Sequence, residues 1–240
     1  MRRGEARSDP DAVFGPEAIE ALRERAFASG RARLFGGGEE ALREAALEAH
    51  GCTRRLRGAA LRATIERVPP DLRDPFVEEL LDIAYVDLPR DSPHVASGVM
   101  EILFALDRTA LGPDDVLVDV GSGLGKVAML AELLGGAAAL GVDDDPRLVE
   151  EARRASAALG LRRCHFERAD ACDAELGAGT VFYLYAPFAG RKLASFLAKL
   201  EPVARSRRCF VCAPPLDEPW LEALPGTCSW LTIYAPRGAR

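Results

Sequence analysis

The segment that most constrains the fold is residues 118–126, which reads Val-Asp-Val-Gly-Ser-Gly-Leu-Gly-Lys. A short apolar run leads into a turn with three alternate glycines, and a helical stretch begins at Lys126. Glycine tolerates positive φ and lets the backbone approach a ligand closely, while the N-terminus of the following helix offers free N–H groups. The segment therefore predicts a strand–turn–helix unit that binds a ligand at its turn.

The residues after this unit continue the alternation of short apolar runs and helical stretches. We predict helices over 126–134, 146–159 and 191–200, and strands over 116–120, 138–143, 164–166, 180–185, 209–213 and 229–235. Buried strands without polar alternation, separated by helices, are typical of a mostly parallel sheet covered on both faces. Residues 94–240 are thus predicted to form a doubly wound α/β domain.

The region before this domain, residues 1–93, is predicted to be helical. The stretch 39–68 lacks proline and carries an approximate apolar stripe, and Pro69-Pro70 ends it. A shorter helix is expected near 76–84 and a loop over 88–93, after which helical spacing resumes from residue 95. No motif in the first 80 residues carries chemistry.

Composition excludes several classes of protein. The chain has 31 Lys and Arg against 37 Asp and Glu, a net charge of −6, with both signs interspersed. This balance disfavours a nucleic-acid partner, since the sequence contains no basic block. No apolar run approaches the roughly 18 residues of a membrane span. The polar start Met1-Arg2-Arg3 does not resemble a secretory signal, so we expect a cytoplasmic protein. The sequence makes no prediction of its oligomeric state.

The six cysteines include one Cys-x-x-Cys pair, Cys209 and Cys212. The pair lies in an apolar run with strand character, where positions i and i+3 point to opposite faces of the sheet. The two sulfurs then cannot share a metal ion or form a disulfide, and no second pair stands nearby. We expect small buried hydrophobic residues in a reducing compartment and no metal site.

An acid at the end of the first strand decides which ligand the turn favours. A dinucleotide fingerprint reads G-x-G-x-x-G, whereas here the third glycine comes one residue earlier. A carboxylate at Asp119 would repel a pyrophosphate and suit a ligand with an amino group. Two further acids, Asp143 and Asp170, follow the second and third predicted strands. The pattern favours S-adenosylmethionine over a nicotinamide cofactor.

The motif D-x-G-x-G-x-G resembles motif I of the class I S-adenosylmethionine-dependent methyltransferases, and residues 85–235 follow the order of that family. The resemblance implies a seven-stranded-type methyltransferase sheet. It also implies that Asp143, with its neighbour Asp144, holds the ribose hydroxyls, and that Asp170, beside Ala171, accepts from the adenine amino group. The remaining cofactor-binding residues that it implies are Asp119, Gly121, Ser122, Gly123 and Gly125.

Within that class, the chain is most similar to the Dot1-like lysine methyltransferases. The similarity lies in residues 119–125, in the loop and helix over 85–106, and in the strand end over 181–188. It implies protein lysine as the methyl acceptor. Tyr185-Ala186-Pro187-Phe188 stands where that family has an asparagine. We expect Tyr185 and Phe188 to wall the methyl-transfer pocket, and Tyr85 and Ser92 to close over the methionine end of the cofactor.

Three alternatives stay open at this point. A small-molecule acceptor suits an acidic chain with an enclosed pocket. A module that binds S-adenosylmethionine without catalysis would explain the lost asparagine. A nicotinamide-dependent enzyme is disfavoured by Asp119 and by the glycine spacing.

Overall fold

The computed structural model describes residues 56–68, 70, 73–81, 83 and 97–238 of the 240-residue chain. Two compact units divide the chain, Met1–Tyr85 and Val86–Arg240. The boundary predicted at 93/94 falls within residues 84–96, which lie outside the described part. No helix of the described residues combines the length and the apolar character that crossing a membrane requires.

The described part of the first unit contains two helices, α1 (Gly58–Arg67) and α2 (Arg73–Leu80). The stretch 39–68 was expected to be helical, but Arg57 has an extended backbone and α1 begins only at Gly58. The predicted end is confirmed, since the chain leaves helical geometry at Val68, before Pro69-Pro70. The Arg73 guanidinium donates to the carbonyl oxygens of Val68 and Glu66 at the end of α1. The buried apolar side chains follow helical spacing: Leu61, Ile65, Phe76, Val77, Leu80 and Leu81.

The second unit is built on a seven-stranded sheet of order β3-β2-β1-β4-β5-β7-β6. The first five strands pair in parallel, and β7 pairs antiparallel with both β5 and β6. The strands are β1 (Val116–Val120), β2 (Ala138–Asp143), β3 (Cys164–Arg168), β4 (Val181–Leu184), β5 (Phe210–Ala213), β6 (Leu221–Cys228) and β7 (Leu231–Pro236). The predicted mostly parallel, doubly wound α/β sheet is confirmed.

Among the described residues of this unit, one helix precedes β1, and helices connect β1 to β2, β2 to β3 and β4 to β5. They are α3 (Val99–Thr109), α4 (Lys126–Leu130), α5 (Pro146–Ala158) and α6 (Gly190–Arg205). The predicted helix 126–134 is present, but its last turn, Ala131–Gly135, has π geometry before Gly136 ends it with a positive φ. Alternate residues of β1 and β4 pack against α6 in one core cluster, so the opposite alternation turns Leu117 and Asp119 to the other face.

Two elements differ from the prediction. Strand β6 was not predicted, because it contains Pro225-Gly226, is largely exposed and departs from regular register between Ala223 and Thr227. Proline is tolerated there because β6 is an edge strand. Helix α6 was predicted to end at Leu200 but continues through Pro202 to Arg205. The burial of Ala204 in the core stabilises this extra turn.

Candidate functional site

The candidate site lies where the strand order reverses. β2 and β3 extend from one side of β1, and β4 and β5 extend from the other. The connections that leave the carboxyl ends of β1 and β4 therefore run in opposite directions. In open α/β sheets this arrangement leaves a crevice at the carboxyl edge, and ligands bind there.

The glycine turn, residues 121–125, is fixed to β2 by its backbone. The N–H groups of Gly121 and Ser122 donate to the carbonyl oxygen of Val142 at 2.8 and 3.0 Å, and Gly125 N–H donates to Ser122 at 2.8 Å. All three glycines have positive φ, +72° at Gly121, +53° at Gly123 and +81° at Gly125. The turn is thus a rigid feature whose geometry favours glycine at each of these positions.

Gly121 and Gly125 each allow a close contact with a different part of the fold. A Cβ atom at Gly121 would lie 2.4 Å from Cβ of Pro187, in the loop after β4. A Cβ atom at Gly125 would lie 2.4 Å from the ring of Phe166 on β3 and 3.2 Å from Ala152 of α5. Gly121 therefore brings the turn against the loop after β4, while Gly125 allows the close packing of the helix start on the sheet.

Asp119 lies at the centre of the crevice, on β1 and 3% exposed. Burial, and then the negative charge of Asp143, raise the pKa of Asp119 to about 8, although the N–H of Ala128 opposes the shift. Its Oδ2 atom is buried without a hydrogen-bond partner among the described residues. The carboxyl group is therefore mainly protonated at neutral pH, and a cation beside it would return it to the charged form.

Two more buried polar atoms of the described residues have no hydrogen-bond partner, Ser122 Oγ and Tyr183 Oη. Tyr183 pairs with Asp119 across β4 and β1, and Gly141 pairs with Asp119 on the other side. Ser122 Oγ would lie 2.8 Å from a Cβ at Gly141. The three unsatisfied atoms therefore belong to one row across the sheet. Such atoms are costly to bury unless a ligand or water satisfies them.

Asp143, at the end of β2, has both carboxylate oxygens engaged with the backbone. Oδ2 accepts from Gly123 N–H at 2.8 Å and Oδ1 from Asp145 N–H at 2.9 Å. A carboxylate has further lone pairs to offer, so Asp143 connects the glycine turn to β2 and can still accept from a ligand. Asp144, the predicted partner of Asp143, is 72% exposed.

Asp170, after β3, forms an ion pair that sequence reasoning did not predict. Its Oδ2 lies 2.9 Å from Lys192 Nζ, and its Oδ1 accepts from Cys172 N–H at 2.9 Å. The hydrogen bond from Lys192, with that from Cys172, lowers the pKa of Asp170. Lys192 also lies 3.7 Å from Asp144. The start of α6 thus bridges the ends of β2 and β3, next to the buried Ala171.

Tyr185 and Phe188 have different neighbours. The Tyr185 ring lies 6.4 Å from Tyr183, stacked, and 4.5 Å from Trp230 at an interplanar angle of 54°. The Phe188 ring meets Phe196 of α6 edge-on at 5.8 Å and lies beneath Lys192 Nζ at 5.2 Å. Tyr185 therefore borders the β6–β7 turn, whereas Phe188 packs against the core under α6.

The backbone between these two rings is strained. Ala186 has φ +52°, in the left-handed region that costs a residue with a Cβ about 1–2 kcal/mol. It precedes Pro187, which further restricts its backbone. The other non-glycine residues with positive φ among the described residues are Ala110, at the C-terminus of α3, and Ser229, in the β6–β7 turn. The loop after β4 is held in a defined, unfavourable conformation, which is common at ligand sites.

The remaining predicted residues have varied outcomes. Tyr85 and Ser92 lie outside the described residues. Cys209 and Cys212 are buried free thiols, as predicted, and Cys209 faces the α6 cluster whereas Cys212 is not part of it. No three His, Cys, Asp or Glu side chains within the described ranges are placed to hold a metal ion.

Three residues near the site were not predicted, namely Tyr183, Lys192 and Trp230. Tyr183 reads as one more apolar residue of a buried strand, and Lys192 as one charge on a helix. Trp230 falls within the predicted final strand 229–235, 45 residues after Tyr185. None of the three carried a signal in the sequence, because each acquires its role from contacts between distant elements.

Comparisons with known proteins give results for the fold alone. No family model matches the chain, and no curated protein matches it. An RNA methyltransferase from Salinibacter ruber, solved with S-adenosyl-L-homocysteine, is 23% identical; the match spans 61% of this chain and 99% of that one, with a TM-score of 0.48. The putative methyltransferase yhhF from Escherichia coli is 15% identical over 64% and 92% of the two chains, with a TM-score of 0.50.

A ribosomal protein L11 methylase from Lactobacillus delbrueckii subsp. bulgaricus is 15% identical over 57% of this chain and 76% of that one, with a TM-score of 0.47. At these identities similarity extends to the fold and no further. Residues 97–238 therefore have the Rossmann-like fold of class I methyltransferases, with the strand order and the antiparallel β7 described above.

Proposed function

We propose that the chain is a methyltransferase that takes its methyl group from S-adenosylmethionine. The observation that carries the proposal is the pair of unsatisfied buried polar atoms at the glycine turn, Asp119 Oδ2 and Ser122 Oγ. A ligand with an amino group satisfies such atoms, and its positive charge stabilises the carboxylate that burial disfavours. The residues present therefore fit S-adenosylmethionine at the position that the fold reserves for ligands.

Each part of the cofactor has candidate residues. Asp119, Ser122 and the backbone of Gly121 and Gly123 would hold the methionine end. Asp143, with Asp144 beside it, would hold the ribose hydroxyls. Asp170 and Ala171 would hold the adenine, with Lys192 fixing the Asp170 carboxylate in place. Tyr85 and Ser92 remain predicted contacts of the methionine end.

The cofactor supplies an electrophilic methyl group on a sulfonium when bound. A nucleophilic acceptor then needs little acid–base help, so the work of the protein is to orient the two partners and exclude water. Tyr185 contributes an aromatic face, which suits a nearby cation. Phe188 supports the same loop from the core side through Phe196. The tight contact between Gly121 and Pro187 fixes the loop against the glycine turn.

One departure from the Dot1-like pattern bears on the identity of the methyl acceptor. The Dot1-like resemblance implies protein lysine, but that family grips its target nitrogen with an asparagine where this chain has Tyr185. No comparison supports lysine. A small-molecule acceptor, the second of the two predicted classes, needs no such amide. A non-catalytic module that binds S-adenosylmethionine would also lack the amide. A measurement of methyl transfer distinguishes such a module from an enzyme.

The test is calorimetric titration of the full chain with S-adenosylmethionine, S-adenosylhomocysteine and NADH. We expect the first two to bind, and Asp143→Asn to weaken both about tenfold or more, since a hydrogen bond to a charged group contributes about 1.5–3 kcal/mol. Asp114→Asn is the matched control, because Asp114 is exposed and precedes β1 at the opposite edge of the sheet. Tight binding of NADH alone would overturn the proposal.

A further inference from the structure

Tyr185 and Trp230 form a pair of rings that we call the aromatic corner. Their ring centroids lie 4.5 Å apart and their planes meet at 54°. Trp230 is 41% exposed, one of two large hydrophobic residues of the described part that are this exposed, the other being Met100. The corner thus presents the partly exposed Trp230 ring to solvent, where a further ring can stack on it.

The aromatic corner lies beside the candidate cofactor site. Tyr183 is the direct neighbour of Asp119 across β4 and β1, and Tyr185 follows it by two positions, on the same face and nearer the carboxyl edge. Because β7 runs antiparallel to β5, Trp230, immediately before β7, also lies at the carboxyl edge of the parallel strands. The two rings therefore meet next to the glycine turn.

The β6–β7 turn that carries the Trp230 indole has an unfavourable backbone conformation. Ser229, between Cys228 and Trp230, has φ +53°, which a residue with a Cβ adopts reluctantly. Met100, the other exposed apolar residue, is the second residue of α3, a helix that contacts both β6 and β7. Its neighbour Glu101 acts electrostatically on Cys228. The two large exposed apolar side chains of the described part therefore lie on α3 and on the turn between β6 and β7, the strands that α3 contacts.

One acidic side chain, Glu101, acts on the β6–β7 turn from α3, a helix that contacts both strands. Its negative charge raises the pKa of the Cys228 thiol, second to the effect of burial. An acceptor with a carboxylate or phosphate would be repelled here, and a neutral or cationic one would not. Aromatic faces favour the same choice, since they attract cations and planar rings.

We propose that the aromatic corner binds the methyl acceptor, and that this acceptor is a small planar heteroaromatic compound without negative charge. The inference rests on the proposed function and names the acceptor class of the same site. Tyr185 supplies the inner ring, held against Tyr183 by stacking. Trp230 supplies the outer ring, whose solvent-facing side the acceptor covers.

The test uses four probes that separate ring character from charge. Quinoline is planar and neutral, N-methylquinolinium planar and cationic, quinoline-2-carboxylate planar and anionic, and decahydroquinoline cationic but not planar. Binding to the full chain is followed by saturation-transfer NMR and calorimetry, with and without saturating S-adenosylhomocysteine. We expect quinoline and N-methylquinolinium to bind saturably, and each of the other two to bind about tenfold more weakly or not at all.

Variants at Trp230 locate the bound ring. Because Trp230 is exposed, Trp230→Leu and Trp230→Phe are expected to fold, which circular dichroism checks. Trp230→Leu keeps an apolar side chain and is expected to weaken quinoline binding about tenfold, whereas Trp230→Phe keeps a ring and restores it to within about threefold. Phe210→Leu is the matched control, because Phe210 is a partly buried ring at the start of β5, at the opposite edge of the sheet, and it leaves quinoline binding unchanged.

The outcomes that overturn this inference differ from those that overturn the proposed function. Equal quinoline binding in Trp230→Leu and the parent chain, or binding of the carboxylate as tight as that of quinoline, overturns the acceptor class. Absence of S-adenosylhomocysteine binding overturns the proposed function, and the titrations without S-adenosylhomocysteine still report on the ring site.

Discussion

Gly121 and Pro187 are packed so closely that a single added methyl group would lie 2.4 Å from the proline Cβ atom. The contact joins the glycine turn after β1 to the loop after β4, across the point where the strand order reverses. It brings the glycine turn and the strained Tyr185–Phe188 loop into one site, although about 60 residues separate them in sequence.

Gly121→Ala tests this contact. Positive φ and the clash with Pro187 act together, so we expect a loss of about 3 kcal/mol in the free energy of unfolding, measured in urea. Gly160→Ala is the matched control, because Gly160 also has positive φ, +66°, but open space around it. It is expected to lose about 1 kcal/mol. Equal losses in the two variants would show that the clash is relieved without cost.

Asp119 predicts a specific dependence of stability on pH. Its pKa rises from an ordinary 3.8 to about 8 on folding, so the folded state holds the proton more tightly than the unfolded state. Its contribution is most favourable below about pH 4 and is lost as pH rises towards 8, by up to about 1.4 kcal/mol per pH unit. Asp119→Asn removes this dependence. Urea unfolding between pH 5 and 8 should therefore show the stabilities of variant and parent diverging as pH rises; parallel curves would contradict the assignment.

Because the Asp119 carboxyl is mainly protonated in the free protein, we expect cofactor binding to release a proton. A cationic amino group beside Asp119 favours the ionised carboxylate, so binding of S-adenosylhomocysteine near pH 7 should expel a proton. Calorimetry in two buffers with different ionisation enthalpies measures this directly, as a difference in apparent binding enthalpy. Asp119→Asn should abolish the difference between the buffers, and an undiminished difference in that variant would assign the proton to another group.

Tyr183→Phe removes a buried hydroxyl that lies near Ser97 without forming a hydrogen bond of acceptable geometry. Because no hydrogen bond is lost and an unsatisfied polar group disappears, stability should stay unchanged or rise by up to about 1 kcal/mol. Thermal or urea unfolding of the two proteins checks this. A loss well above 1 kcal/mol would mean that the hydroxyl is satisfied in solution.

Lys192→Met should raise the pKa of Asp170 towards its ordinary value, since the hydrogen bond from Lys192 is the main cause of its depression. Carboxyl-detected NMR titration measures the change. Stability should fall by less than about 1 kcal/mol, because the pair is partly exposed. Lys199→Met is the control, since Lys199 donates to the carbonyl oxygens of Cys172 and Ala174 rather than to a carboxylate. It should leave the Asp170 titration in place.

The order of strands and helices in residues 116–236 followed from local pattern with few errors. Apolar runs such as 116–120 and 138–143 form strands whose side chains are mostly buried on both faces. Such burial requires apolar residues at successive positions, which the sequence shows directly. Strand β6 was missed because an exposed edge strand with Pro225-Gly226 needs no such pattern. Its partner β7 stabilises it from outside the segment.

For the site, local pattern was enough to predict the strand–turn–helix unit with its three glycines and the acids Asp119, Asp143 and Asp170. These features are local, because the backbone conformation of the turn and the position of a residue at a strand end depend on immediate neighbours. The tertiary structure alone decided that Trp230 meets Tyr185, that Lys192 bridges Asp144 and Asp170, and that Asp119 is buried deeply enough to keep its proton. Such contacts and shifts depend on which strands become neighbours and how fully they exclude water, and no single segment specifies either.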